Sequence, residues 1–507
     1  MTLLSETDRI EGRGTHSVAS GGLSPAPRAP DRRHTRSASR PRLLAAAVLG
    51  ALLAGCAMPQ PDAGFSEIGQ TVRQRLDKDL RWAREPGDRE LIEQQVAQLL
   101  ERPLSADAAI QIALLNHRGL QASFDELGIA EADRVRALSL PNPGLSIGRS
   151  QRADEIETGL SLHFNLARLI ARPLLAEVES RRIAQLQADT ALRAITIASD
   201  TRKAWVQAVA SVESTRYARQ VMDAASASAE LARRMAATGN FNALQHAREQ
   251  SFQAEAILNL ARAEQWQRGS RERLTRLMGL WGEQIAFRLP ERLPDLPAAL
   301  PERNGLEAIA IAERLDVQGA KLAAERTARS LGLTQATRFV NVLELGALRE
   351  RSSELPTRTG WELSLELPIF DSGSARLARA EAVYRQALNR AAEIAINARS
   401  EVREAYTASR SSWEIARYHR EQIVPLRQRI AEENLLRYNG MLIGVFELLA
   451  DARAQIAGVN AAIDALRDFW LAQADLEMAL IGRPAATPLA IPTTARAVEP
   501  PAHASPH

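Results

Sequence analysis

The chain has 507 residues, 45% hydrophobic and 25% charged. That is enough to bury a large core, and the length would allow about three ordinary domains. The formal net charge is +3, the first 42 residues are arginine-rich, and no sustained basic face stands beside aromatic platforms, which makes nucleic acid a poor candidate for a partner. A single cysteine leaves nothing for a disulfide or a thiolate metal site.

In chain order, the first feature is LLAAAVLGALLAG, Leu43 to Gly55, an apolar stretch of 13 residues behind Arg32, Arg33, Arg36, Arg40 and Arg42. It is too short to span a bilayer and reads as the core of a signal peptide covering residues 1–55. The basic region is long for such a signal, which leaves the translation start open. Cys56 follows directly, and Leu53-Ala54-Gly55-Cys56 resembles a bacterial lipobox, whose cysteine becomes the lipidated first residue of the mature chain. Residues 56–103 would then be a lipidated N-terminal segment, tethered to a membrane without spanning it.

Beyond Leu104 the chain reads mostly as long helix. Between Pro173 and Gly239 there is neither proline nor glycine, and between Gly373 and Gly440 only Pro425 interrupts. Both runs are rich in Ala, Leu, Arg, Glu and Gln, good helix formers. At ~1.5 Å per residue the first makes a rod of roughly 95 Å, longer than an ordinary globular helix. Short alternating stretches stand against this background. Leu160, Leu162, Phe164 and Leu166 alternate with Ser161, His163 and Asn165, and a partner runs from about Pro143 to Arg149. In TGWELSLELPIF, Trp361, Leu363, Leu365 and Leu367 alternate with Glu362, Ser364 and Glu366, with a less regular partner around Phe339 to Leu348. A period of two marks strands with one apolar and one polar face. Polar loops are expected at Ser150 to Glu157 and Arg349 to Arg358.

These features occur twice. Thr158-Gly159 recurs as Thr359-Gly360, Gly239 as Gly440, Ala247-Arg248 as Ala452-Arg453, and Leu277-Met278-Gly279 as Leu480-Ile481-Gly482. The repeats are 104–288 and 305–483, joined by a Pro-rich linker at 289–304 and followed by a Pro/Ala-rich tail at 484–507. The fold class is therefore mainly α with a small β part, a duplicated helix-strand-strand-helix-helix unit. Four strands cannot close a barrel, and an open sheet edge is not viable in lipid. With the anchor at Cys56, the strands are expected to pair with copies from other chains. Two chains would give eight strands and a filled interior; three would give twelve strands and a lumen.

Here the residues resemble a known family, the TolC-like outer-membrane efflux proteins, in their lipoprotein branch. Leu104, Ala108, Ala113-Leu114, Asn116 and Leu120 look like the family's opening helix, and Pro141-Asn142-Pro143 like the entry to its first strand. Leu367-Pro368-Ile369-Phe370-Asp371-Ser372-Gly373 looks like its signature after the last strand. Tyr438-Asn439-Gly440 followed by Phe446-Glu447-Leu448-Leu449 looks like its second periplasmic turn. The first half departs more, with Asn165 to Ile170 where the second has Pro368 to Gly373, and its helix is expected to resume near Pro173. The resemblance implies a homotrimer: a twelve-stranded β-barrel in the outer membrane on a long periplasmic α-helical barrel. It would extend into the periplasm of a Gram-negative bacterium. It also implies a passive exit duct without cofactors, partnered by a periplasmic adaptor (membrane fusion) protein and a proton-driven inner-membrane transporter. A type I protein secretion duct is the alternative within that reading; a lipid-anchored periplasmic coiled-coil scaffold is the alternative outside it.

No catalytic constellation competes. The eight histidines show no ligand spacing, and there is no HExxH, P-loop or GxSxG. Two groups of residues remain as candidate sites. The turns around Gly239, Asn240, Phe241 and Leu244, and around Gly440, Leu442, Val445 and Leu448, are at least helical hairpin tips, since glycine ends a helix by accepting positive φ. The resemblance implies that they meet the adaptor, with their apolar groups exposed. Glu447 and Asp451 stand four apart on one helix face. The resemblance implies that acids just after this turn point into the tube and narrow it, so that three copies would make acidic rings, a gate selecting by charge; the alternative is ordinary solvated charge.

Overall fold

The computed structural model describes residues 60–302, 304–339 and 342–484. The expected signal peptide, Cys56 and nearly all of the tail lie outside them. Two N-terminal helices, α1 (Phe65–Leu76) and α2 (Pro86–Leu100), precede the first repeat. That repeat comprises α3 (Ala106–Asn116), α4 (Arg118–Leu138), β1 (Gly144–Arg152), β2 (Glu155–Asn165), α5 (Leu166–Ala237) and α6 (Ala243–Met278). The second comprises α7 (Leu306–Glu313), α8 (Leu315–Ala336), β3 (Leu343–Ser352), β4 (Arg358–Leu365), α9 (Ser374–Tyr418), α10 (Val424–Asn439) and α11 (Val445–Ile481). A five-residue π turn, His419–Ile423, separates α9 from α10.

Helix α5 has 72 residues, about 108 Å of helix. It starts at Leu166, earlier than the alternation suggests, because the Asn165 side chain accepts a hydrogen bond from the Arg168 amide at 2.9 Å. That cap ends the strand before Leu166 can join it. Pro173 lies inside the helix and does not start it. Alanines run along α5 where other helices approach: Ala191, Ala194, Ala198, Ala204 and Ala208 are buried. The main core gathers α1 to α4 against the middle of α5 and the end of α6, with Ile68, Leu104, Ile112, Leu114, Leu120, Phe124, Trp205, Val209 and Leu274 inside it. The two repeats are joined by ion pairs between their helices: Lys203 to Asp475 at 2.7 Å, Arg181 to Glu325 at 3.1 Å, Arg329 to Glu177 at 3.2 Å, and Arg202 to Glu477.

The four strands form one antiparallel sheet in the order β1-β2-β3-β4. β2 and β3, from different repeats, pair from Glu157 with Ser352 to Asn165 with Glu344. β1 and β2 extend through most of the residues expected as a loop, meeting at a tight turn where Ala153 has φ 51°. β4 stops at Leu365, so Leu367 and Ile369 lie beyond the ladder.

The helix breaks of the two repeats correspond. His117 ends α3 and starts α4; Arg314 ends α7 and starts α8. In both, a side chain at the break caps the last helix of its own repeat. Asn116 donates to the carbonyls of Met278 (3.2 Å) and Gly279 (2.7 Å), and Arg314 donates to the Ala479 carbonyl at 3.3 Å. Gly279 takes φ 65° there, and a β-carbon would stand 2.9 Å from the Asn116 carbonyl oxygen.

Candidate functional site

The register sorts the strand residues onto two faces. One carries Leu145 and Ile147 of β1, Leu160, Leu162 and Phe164 of β2, Leu343, Leu345 and Ala347 of β3, and Trp361, Leu363 and Leu365 of β4. Leu145 lies across from Leu162, Phe164 from Leu345, and Leu345 from Leu363. Most of these large apolar side chains are exposed in the single chain. Toward the β1–β2 and β3–β4 turns the same face becomes polar, with Thr158, Arg349, Arg351 and Thr359. The apolar part is thus a band, not a whole surface.

The opposite face is small and acidic. Gly144, Gly148, Gly159, Gly346 and Gly360 all point there, beside Glu155, Glu157, Glu344, Glu350 and Glu362 and the bases Arg152 and Arg358. His163 stands on this face, as its place in the alternation predicts, with Nε2 2.8 Å from Ser161 Oγ. A β-carbon at Gly346 would sit 2.9 Å from His163 Nδ1, so the imidazole occupies the space over the neighbouring glycine. Leu348 likewise lies across Gly360. Small residues collected on one face suit a sheet curving toward it. Among the described residues, β1 and β4 each keep one edge without a strand partner.

At the other end of the helices are two turns, built differently. In the first, Gly239 takes φ 79° and the Asn240 amide closes onto the Met235 carbonyl at 2.9 Å. Asn242 and Gln245 then form a reciprocal capping box at the start of α6. Phe241 is only 8% exposed, against the expectation that it is presented at the tip; Leu244 remains exposed. In the second turn Gly440 has φ −80°, and the left-handed position falls to Met441 at φ 58°. The reason for glycine at 440 is therefore not positive φ. Met441 and Leu442 are 93% and 77% exposed. Val445 opens α11 after an N-cap, Gly444, with no side-chain cap, and Leu448 is half-buried.

Glu447 and Asp451 lie on the first turns of α11, Glu447 exposed and Asp451 half-buried. The Asn434 side-chain amide of α10 donates to Asp451, so one of the two carboxylates is held within its own hairpin.

Two clusters escaped the sequence reading. Arg314 is 1% exposed; it donates to both carboxylate oxygens of Asp316 (2.9 and 2.7 Å) and stands 2.7 Å from Glu401 of α9. Burial pulls its pKa down, but hydrogen bonds and the charges of Asp316 and Glu401 more than offset this, giving a net rise. Glu249 of α6, 2% exposed, accepts from Ser228 at 2.9 Å and from Arg453 of α11 at 3.0 Å. Its one sequence signal is that Arg453 recurs with Arg248. Among the described residues no group of three His, Cys, Asp or Glu is placed to hold a metal ion. Among them no helix is long and apolar enough to cross a membrane.

A mostly helical chain with a small antiparallel sheet, duplicated along its length, defines the fold of the outer-membrane efflux channels, and comparison with solved structures shows that fold. The CmeC outer-membrane channel of Campylobacter jejuni matches with a TM-score of 0.64 at 14% identity, over 74% of this chain and 85% of that one. The open-state MtrE outer-membrane channel of Neisseria gonorrhoeae gives 0.60 at 19%, over 74% and 88%. CusC, described in terms of transmembrane channel formation, gives 0.63 at 18%, over 74% and 92%. In sequence, the cobalt-zinc-cadmium resistance protein CzcC of Cupriavidus metallidurans is 27% identical over 290 residues. That stretch is 54% of this chain and 65% of the relative, just under two thirds of its length. No family model matches the chain.

Proposed function

We propose that this chain is the exit duct of a tripartite efflux system, a homotrimer in the outer membrane of a Gram-negative bacterium. The observation that carries this reading is the sheet: four strands, an exposed apolar band on one face, a small polar face behind it, and two open edges. β1 and β4 run antiparallel in the meander, so β4 of one copy can pair with β1 of the next and continue the alternation. Three copies give twelve strands with the apolar band toward lipid and the glycine-rich face toward the lumen. A coiled-coil scaffold with a soluble cap would have to leave that band in water, where a contiguous apolar patch is unfavourable.

The helical hairpins then extend into the periplasm, and their tips are the natural docking place for an adaptor. Leu244, Met441 and Leu442 are the exposed apolar side chains available there. An adaptor in turn links the duct to an energised inner-membrane transporter. Lipidation at Cys56 fits this arrangement. Gln60, the first described residue, donates its amide to Glu131 at 3.1 Å on α4, the helix that precedes β1.

The cargo is a small cation, with divalent transition metals as the class to test first. Five carboxylates face two arginines on the lumenal side of the sheet, and Glu447 and Asp451 add acid near the tip. CzcC, by its name, acts in cobalt, zinc and cadmium resistance. The test has two parts. Purified protein in planar bilayers should form cation-selective channels, and a strain lacking the gene should become sensitive to zinc, cobalt or cadmium. A protein that extracts without detergent and conducts nothing overturns the duct; a conducting protein whose loss leaves metal tolerance unchanged overturns the cargo.

A further inference from the structure

The apolar band of the sheet has two rims, and their charge differs. At the turn rim, residues 149–158 and 349–359 carry five arginines and five carboxylates. At the rim where the strands meet the helices, residues 136–143, 165–173, 337–339 and 366–379 carry Arg136, Arg168, Arg172, Arg338, Arg376 and Arg379 against Glu366 and Asp371. Large apolar side chains continue the band into this basic rim: Ile170, Phe339 and Ile369 are exposed, and Phe370 is fully so.

The arginines are held in the same way in both repeats. Arg136 lies in the last turn of α4 and Arg338 just past the end of α8; Arg168 and Arg376 are each the third residue of the helix that leaves the sheet. Arg168 Nη2 donates to the Arg136 carbonyl at 2.8 Å, and Arg376 Nη2 to the Arg338 carbonyl at 3.4 Å. Arg338 Nε donates to the Ser372 carbonyl at 3.0 Å, and its guanidinium carbon stands 4.8 Å from the Phe339 ring centroid. Gly373, at φ 71°, makes room for Arg338, since a β-carbon there would lie 2.9 Å from the Arg338 carbonyl oxygen. A guanidinium has five N–H donors, so one carbonyl does not saturate it. Arg172 and Arg379, about a turn further along α5 and α9, are exposed. Neighbouring acids are engaged elsewhere. Asp133 and Glu179 pair with Arg182 at 3.4 and 3.3 Å, Glu177 pairs with Arg329 at 3.2 Å, and Asp371 accepts from the Gly373 amide at 2.9 Å.

We propose that the helix rim is a collar that binds the headgroups of anionic phospholipids. Headgroup phosphates complement the unbalanced arginines, and basic side chains at a bilayer surface attract such lipids. The acyl chains then cover Ile170, Phe339, Ile369 and Phe370, an arrangement of apolar body and charged edge suited to a membrane interface. The turn rim, with its charges balanced, has no such preference. The collar rests on the duct reading, which puts the sheet in the bilayer and this rim in the leaflet nearer the periplasmic helices.

The test uses full-length protein in phosphatidylcholine vesicles holding a minor share of lipid with brominated chains, either phosphatidylglycerol or phosphatidylcholine. Bromine quenches nearby indoles. Trp361 is the one tryptophan of the four strands and reports the turn side of the band. Phe339→Trp in a Trp361→Phe chain reports the helix rim. Brominated phosphatidylglycerol should quench the introduced indole several-fold more than brominated phosphatidylcholine, and the two lipids should quench Trp361 equally. Arg172→Gln with Arg379→Gln should lower the preference, by roughly fivefold in relative affinity for each arginine that meets a headgroup. Arg172→Lys with Arg379→Lys should keep it. Quenching by brominated phosphatidylcholine checks that each variant has inserted. Equal quenching by both lipids at the helix rim, or a preference untouched by the glutamine pair, overturns the collar and leaves the duct standing. Neither probe quenched by either lipid overturns the duct reading. A preference abolished by inorganic phosphate at constant ionic strength makes this a free-anion site and overturns the lipid.

Discussion

In the first repeat one helix, α5, runs unbroken from the sheet to the tip, and its hairpin is stitched by buried alanines, a buried phenylalanine and a capping box. In the second repeat the same path is cut at His419–Ile423, the tip is an exposed Met441-Leu442 pair, and α11 starts without a side-chain cap. Near the core the asymmetry is reversed. The first repeat's helix break is held by neutral groups, Asn116 and His117, whereas the second's is held by a buried arginine between two carboxylates. Duplication supplied the same parts twice; the first copy carries the packed, capped tip and the second the charged lock near the core.

The sharpest test of that division is at the helix breaks. Arg314→Ala takes the buried guanidinium away from Asp316 and Glu401, which are partly buried and keep only the Val317 amide and Arg483 at 3.6 Å, and should cost about 3–4 kcal/mol. Asn116→Ala removes amide bonds to two carbonyls and should cost about 1–3 kcal/mol. Thermal melting of the purified protein measures both, and equal losses would break the comparison. At the tips, Phe241→Ala should cost about 3 kcal/mol, since it empties a buried site. Leu442→Ala should leave melting unchanged and reduce adaptor binding in a pull-down. Reversed outcomes would mean that the first tip, not the second, presents its side chain.

The sheet should show no asymmetry. Leu162→Arg and Leu363→Arg, from different repeats but the same face, should each cost about 2–4 kcal/mol of insertion if they lie near the bilayer midplane. Glu362→Gln, on the opposite face, should insert normally. Smaller still is the stability effect of Glu447→Gln with Asp451→Asn, about 0.5 kcal/mol or less for largely solvated charge. That double variant should nonetheless lose cation selectivity in bilayer recordings; unchanged selectivity would make these carboxylates ordinary surface groups. The smallest effect concerns pH. His117 Nδ1 accepts from the Leu120 amide at 3.2 Å, and burial, with Arg193 nearby, holds its pKa below the usual 6.5. The folded value is depressed, so its contribution is complete above 6.5 and lost as pH falls through the lower folded value. Amide protection factors at the α3–α4 break, corrected for the intrinsic pH dependence of exchange, should fall on acidification while those at the Arg314 break stay unchanged, and His117→Asn should abolish the difference.

Much of this was legible because period and order survive in a sequence. The alternation at Leu160 to Phe164 and Trp361 to Leu365, the proline- and glycine-free runs, and the recurrence of Gly239 as Gly440 place the strands, rods and turns. What failed depends on contacts between distant residues. Ser150 to Glu157 looks like a loop because it is polar, but backbone pairing with β2 and β3 decides a strand, and polar residues are admissible on both faces near its end. Phe241 was expected outside because it sits in a turn; whether a turn residue folds inward depends on the neighbouring helices. Arg314 among many arginines has nothing local to distinguish it, since its partners come from α8, α9 and α11. The π turn is a single extra residue in a helical hydrogen-bond cycle, which composition does not register.

The open edges of β1 and β4 have a consequence for the life of the chain before assembly. A lone copy offers two strands ready to pair and an apolar band between them, the combination that makes proteins stick to themselves. Among the described residues no strand satisfies those edges, and a pair of copies still has two left over if only three close the ring. In the proposed trimer each new chain would be at risk until the third arrives, and the yield of assemblies should rise more steeply than in proportion to supply. On that reading, overexpression should fail first by precipitation of unassembled chains rather than by crowding of the membrane.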